Sequence, residues 1–183
     1  MLDIILIIVA VIAAAIIALL IYAATRPSRF RVQRSITINA PAESIFPQVN
    51  DLRAQQSWSP WEAKDPAMKR TYGGAQSGKG AKYEWQGNKQ VGHGRMEIVE
   101  STPPTRLLMK LDFIAPFPAN NMAEFILEPR GDSTVVTWAI FGPSPYMSKL
   151  MGIFMSFDKM IGKEFDTGLA KLKALMENQA PAG

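Results

Sequence analysis

The chain has no cysteine and a single histidine. The first absence excludes disulfides, thiolate metal sites and thiol nucleophiles. The second leaves little on which to build a transition-metal site, which ordinarily draws on several His or Cys ligands. A Ser-His-acid triad would have to use His93, and no nucleophile-elbow sequence supports one. His93 is therefore expected as a partly exposed strand residue between Gly92 and Gly94, two points where a sheet can bend sharply. Excess charge is scarce as well. All 20 Lys+Arg and 15 of the 16 Asp+Glu lie beyond Ala24, and without Arg26, Arg29, Arg31 and Arg34 the balance is 16 against 15. The high pI is thus a local feature, and no electrostatic footprint for nucleic acid is visible. No motif calls for a cofactor. "GGAQSGKG" at 73–80 has phosphate-loop spacing, but Gly80 stands where a Ser or Thr should reach Mg²⁺. A strand pattern comes next where a helix should begin, so it reads as a glycine-rich turn.

What is present first is a long apolar run. From Ile4 to Ala24 there is no charged residue, and at about 1.5 Å per residue a helix of this length covers roughly the 30 Å hydrocarbon core of a bilayer. A cleaved signal peptide would carry a shorter apolar core behind a positive flank, which "MLD" does not provide. Residues 1–25 are expected as a retained single-pass anchor, and 26–29 as a basic linker. The four arginines would attract anionic headgroups and favour the cytoplasmic face of the cell (inner) membrane for the domain beyond the linker.

The remaining residues suit one domain with a single core. "FRVQRSITI" at 30–38 alternates as a strand, with Arg34 the exception on its apolar face. "NAPAESIFPQVNDL" opens a short helix that Pro47 should break. Six strand-length runs come after it, separated by turn residues: "RTYGG", "AKYEWQG", "VGHGRMEIVE", "RLLMKLDF", "MAEFILEPR" and "STVVTWAIF". From Tyr146 to Glu177, apolar residues recur at steps of three and four, which predicts one long amphipathic helix. "NQAPAG", 178–183, is expected as a disordered tail. This is an α+β order in which a curved antiparallel sheet grips a C-terminal helix and leaves an apolar gap between them.

The candidate ligand-binding residues come from elements expected to converge on that gap. They are Trp58, Trp61, Tyr72, Tyr83, Trp85, Met109, Phe113, Phe125, Trp138, Met151 and Phe154. Plain core packing is the alternative for each of them. Ten methionines in the chain suit an adaptable cavity. "SWSPW" at 57–61 has no regular periodicity, so Trp58 and Trp61 are expected to form one lip of the pocket. Asp158 falls on the apolar stripe, one turn after Phe154 and three residues before Ile161. Burying a carboxylate alone is costly, so it should find Arg95, Lys82 or a backbone amide. Its role is either a helix-to-sheet hydrogen bond or contact with a ligand.

"ITINAPAESIFPQVNDL", "WSPW", "GKGAKYEWQGN", "VGHGRMEIVESTPP", "FILEPRGDSTVVTWAIFG" and "DKMIGKEFDTGLAKLK" together resemble the START/Bet v 1-like superfamily. This is the group (SRPBCC) labelled polyketide cyclase/dehydrase and lipid transport. The resemblance covers nearly all of residues 30–177, and is to a bacterial membrane-anchored branch in particular. It implies a helix-grip fold, with seven antiparallel strands around the C-terminal helix, two short helices after the first strand, and a hydrophobic cavity. It carries over no catalytic residue. Three functions remain open. The first is a membrane-tethered binding protein for an apolar or amphipathic small molecule such as a lipid or quinone. The second is a cyclase or hydratase using Asp158, His93 and Glu84 as acid–base groups. The third is an interaction domain regulating a membrane complex, with "FIAPFPANN" as its exposed apolar segment.

Overall fold

The apolar run folds as α1, Leu2–Thr25, in a computed structural model that describes residues 1–179. This helix is long and apolar enough to cross a membrane, and its large side chains are exposed along its length. Only Arg26, Pro27 and Ser28 separate it from the first strand, β1, Arg29–Ile38. Six further strands obey the turn signals of the sequence. They are β2 (Lys69–Gly74), β3 (Ala81–Gln86), β4 (His93–Thr102), β5 (Arg106–Ala115), β6 (Ala119–Arg130) and β7 (Ser133–Pro143). All pair antiparallel in one sheet of order β1-β7-β6-β5-β4-β3-β2. "GGAQSGKG" is indeed the turn between β2 and β3, with Gly74, Gly78 and Gly80 at positive φ. The long C-terminal helix α4, Phe157–Gln179, packs on β1 and β7 to complete the helix-grip. Its Phe165, Leu169, Leu172 and Met176 are buried against the sheet, each contributing about 1.5–3 kcal/mol by leaving water.

Three local expectations are corrected. Pro47 does not break its helix: α2 runs unbroken over Ala42–Asn50, and a 3₁₀ turn comes next at Ala54–Ser57. Pro47 lies on the exposed face of α2, where the carbonyl it leaves without a donor belongs to Glu43, also exposed. The C-terminal helix is two helices, since α3, Tyr146–Phe154, ends before α4 begins. Met155 is extended (φ −127°, ψ 127°) and the Ser156 hydroxyl accepts the Lys159 amide at 3.3 Å, capping a new helix. Finally, the helix continues through Asn178 and Gln179, while residues 180–183 of the expected tail lie outside the described residues.

The two ends of the sheet differ. The far end holds the C terminus of β1 and the β2–β3 turn. It is closed by α2, whose Ile45, Phe46 and Val49 are buried, and by the Gly78 amide on the Asn50 carbonyl at 2.9 Å. The near end holds the N terminus of β1, the C terminus of β5 and the β5–β6 loop. It is the end from which α1 departs, and α3 lies beside α1 there.

Candidate ligand-binding site

The "SWSPW" segment is part of the interior. Trp58 is 1% exposed, and its indole donates to the Gln48 carbonyl at 3.1 Å. Its ring meets Phe125 and Trp138 edge-on at 5.8 and 5.4 Å. Trp138 in turn stacks on Phe165 of α4 at 4.1 Å and on Phe125 at 5.1 Å. Pro60 comes close to α4 at Gly168, where a Cβ would lie 2.9 Å from the Trp138 ring and 3.0 Å from Pro60. The stretch left without periodicity is therefore a clasp that fastens α4 to the sheet. Trp58 lies within that clasp and not at a lip. Trp61 is half-buried and meets Trp138 and Phe165 edge-on.

A second aromatic row lines the inner face of the other half of the sheet. Tyr72, Tyr83 and Trp85 stack in sequence at 5.0 and 5.8 Å, and Phe113 closes the row edge-on at 6.1 Å. Alternation in β2, β3 and β5 puts all four rings on one face. Gly94 makes this possible, since a Cβ there would lie 2.3 Å from the Trp85 ring. The 62–68 loop folds over the row. Arg70 fixes it by bonding Glu62 at 2.5 Å and the Met68 carbonyl at 2.8 Å. Tyr83 donates weakly to Glu62 at 3.4 Å, and Gln56 donates to the Tyr72 hydroxyl. Burial, and then the Glu62 charge, push the Tyr83 hydroxyl well up from its ordinary range, and burial raises Tyr72 too.

Inner-face residues of the far half are mostly buried, Ile36 excepted, whereas the near half mixes buried Val32, Trp85, Ala123 and Ile140 with half-buried side chains. Phe30, Trp61, Met96, Leu111, Phe113 and Ile161 are half-buried and pack on the core from its rim. Register places the strand residues among them toward the near end: Phe30 pairs with Gly142, Met96 with Leu111, and Phe113 with Gly94. Two concavities lie elsewhere. One of about 420 Å³ spreads over the outer face among Lys82, Glu84, Arg95, Lys110 and Asp112. Another of about 270 Å³ sits between Leu52, Arg53 and the β2–β3 turn.

The remaining predicted residues divide. Met109 and Phe125 are core. Met151 and Phe154 belong to α3, 37% and 72% exposed, away from the aromatic rows. Asp158 is exposed instead of lying on a buried stripe, and its partner is Arg34 rather than Arg95 or Lys82. Arg34, the odd residue of β1, bridges Asp158 and Asp166 at 3.1 and 3.5 Å. Its hydrogen bonds hold Asp158 below the usual carboxylate range. Arg31 is paired as well, with the buried Glu124 at 3.1 Å, which also holds Arg106 at 2.9 Å. Only Arg26 and Arg29 of the four flanking arginines are thus left outside the domain's ion pairs among the described residues. The acid–base candidates do not converge: His93 meets Glu84 at 3.0 Å on the outer face, and Asp158 is on α4. Among the described residues, no cluster of His, Asp and Glu could hold a metal ion.

Sequence reading did not single out Phe30, Met96, Leu111 and Ile161, which lie half-buried toward the near end. Alternation and the helical stripe gave each its inward face, but only strand register says which end of the sheet a residue occupies.

Known proteins share this fold. A family model described as "Polyketide cyclase / dehydrase and lipid transport" matches residues 29–177. No curated protein matches. Among solved structures, protein CV1439 from Chromobacterium violaceum is similar at 17% identity and TM-score 0.57, covering 83% of this chain and 99% of that one. A Thermobifida fusca protein solved by NMR is similar at 24% identity and TM-score 0.59, with 82% and 95% covered. Ara h 8.0201 is 9% identical, with TM-score 0.56 and 82% and 99% covered. At these identities the likeness is one of fold.

Proposed function

This chain belongs to the polyketide cyclase/dehydrase and lipid transport family, and from that membership we propose a membrane-tethered binding protein for an apolar or amphipathic small molecule. Residues 1–25 are its anchor, 26–28 the linker, and 29–177 the ligand-binding domain, on the cytoplasmic face by the bias of its arginines. One observation carries the reading. Half-buried apolar residues of the inner face, Phe30 of β1, Met96 of β4, and Leu111 and Phe113 of β5, lie toward the end of the sheet from which α1 departs, and half-buried Ile161 lies near the start of α4. An apolar molecule leaving a bilayer would meet this rim first.

The clasp around Trp58 and Trp138 fills the space between α4 and the sheet. On this reading the ligand therefore enters from the rim and lies along the row Phe113, Trp85, Tyr83 and Tyr72. Trp61 borders it, while Met109, Phe125 and Trp138 back it as the wall. The Tyr83–Glu62–Arg70 group supplies polar contacts at the inner end of that row. Apolar surface removed from water at about 25 cal/mol per Å² supplies the affinity.

The test is mass spectrometry of the full chain purified from membranes, with bound molecules extracted and identified. Wild type should yield one defined lipid or quinone class, and Leu111→Asp or Phe113→Asp should lose it while keeping the fold. Equal yield from wild type and variants would overturn the assignment. The intact mass also reports whether residues 1–25 remain on the chain.

A further inference from the structure

Among the described residues outside α1, the exposed large hydrophobic ones are Ile114, Phe117, Tyr146, Met147, Met151, Phe154, Met155 and Met160. Single exposed hydrophobics are ordinary on a protein surface, but here every one belongs to the same end of the molecule. Ile114 precedes and Phe117 lies within the β5–β6 loop at the near end of the sheet, and the others lie on α3, in the turn after it and at the start of α4. The far end, with its three turns, contributes none. Such segregation marks a contact surface.

We propose that α3 and the tip of the β5–β6 loop are an interfacial membrane contact, seating the open end of the domain in the headgroup layer of the bilayer. This rests on the reading of α1 as an anchor. The helix α3, "YMSKLMGIF", carries one charge, Lys149, and buries no residue in the protein. Leu150 and Ile153 are half-buried, but Met147, Met151 and Phe154 leave one apolar face of the helix open, and a helix in water ordinarily packs such a face. Its position supplies the occupant. The Tyr146 hydroxyl donates to the Leu20 carbonyl at 2.9 Å. Leu20 stands five residues before Thr25, the end of α1, or about 8 Å along the axis. That is the depth of roughly 5–10 Å at which interfacial helices bury their apolar face. The same level is marked by Tyr22, whose hydroxyl accepts the Arg26 guanidinium at 3.3 Å. Tyrosine and arginine are the residues that settle where hydrocarbon gives way to headgroups. Phe117, 74% exposed between Pro116 and Pro118, is the second point of contact, with a ring suited to that boundary.

The absence of cysteine makes the test direct. Single cysteines are introduced into the full chain by Ile12→Cys, Phe117→Cys, Phe154→Cys and Asp132→Cys, at exposed positions. Each is labelled with a small fluorophore and reconstituted into phosphatidylcholine–phosphatidylglycerol vesicles carrying nitroxide lipids. The expected result is quenching at Ile12→Cys by deep nitroxides, and loss of most fluorescence at Phe117→Cys and Phe154→Cys with shallow ones. Asp132→Cys, in the far β6–β7 turn, should keep its fluorescence. Quenching at Ile12→Cys with Phe117→Cys and Phe154→Cys as bright as Asp132→Cys would leave the anchor and overturn the docking. Blue-shifted but unquenched labels at those two positions would mean that protein covers them, and would overturn it too. An unquenched Ile12→Cys would remove the anchor, and the docking with it.

Discussion

The guanidinium of Arg34 crosses α4 over the bare backbone of Gly162, where a Cβ would sit 2.0 Å from Nη2. Asp158 and Asp166 lie one turn to either side, so Gly162 leaves the gap through which Arg34 reaches both. An arginine on the inner face of a strand and a glycine inside a helix are each unfavourable in isolation. Together they fix the position of α4 along β1.

Gly162→Ala and Gly168→Ala should therefore behave differently. At Gly162 the neighbour is the end of a flexible side chain, which can swing away, and helix propensity improves by about 1 kcal/mol. Denaturation should show stability at neutral pH unchanged or raised. At Gly168 the neighbours are the stacked Trp138 ring and Pro60. Overpacking there costs about 1–3 kcal/mol, more than the helix gains, so the midpoint should fall.

Acid should loosen the grip through the carboxylates of α4. Asp158 is held below its ordinary range by hydrogen bonds from Arg34, and Glu177 by Lys173 and the Asn39 amide. Both carboxyls take up protons more readily in the unfolded chain. Their contribution is complete above the unfolded range and is lost as pH falls through the lower folded one. Asp158→Asn and Glu177→Gln should lower the urea midpoint at about pH 7, and their difference from wild type should shrink as pH falls below the ordinary carboxylate range. Gly162→Ala should also flatten the Asp158 part of this dependence.

Trp58→Ala should destabilise by about 3–5 kcal/mol, the cost of emptying a large buried site. Trp58→Phe should cost less, yet still leave the Gln48 carbonyl without its donor. Denaturant midpoints check both. If the ligand lies along the second aromatic row, Trp58→Phe should retain it, because Trp58 belongs to the first row.

Glu62→Gln should free the loop above Tyr83. With the Arg70 ion pair weakened and the charge next to Tyr83 removed, the phenol should titrate lower than in wild type while remaining raised by burial. Ultraviolet difference spectra across the alkaline range would register the change.

The strands, the membrane-length helix and the order of elements were legible from alternation, apolar length and turn residues. Each is a pattern within ten or twenty neighbours. The features that could not be read depend on pairings between distant segments. The Arg34 partner is on α4 and the Trp58 acceptor on α2. The break at Met155 escaped the stripe because Met147, Met151 and Phe154 keep helical spacing while facing away from the sheet. Pro47 escaped because a proline on the solvent side of a short helix sacrifices little.

Three residues, Arg26 to Ser28, join α1 to β1, and fully extended they reach only about 10 Å. If α1 spans a bilayer, that brevity decides the kinetics of anything the domain holds. The domain samples a thin layer of solvent over one membrane, so its encounters are with molecules concentrated in that layer. A cargo taken from this membrane can be returned to it or given to a protein that comes alongside. Delivery to a second membrane would require the two bilayers to approach within the height of the domain.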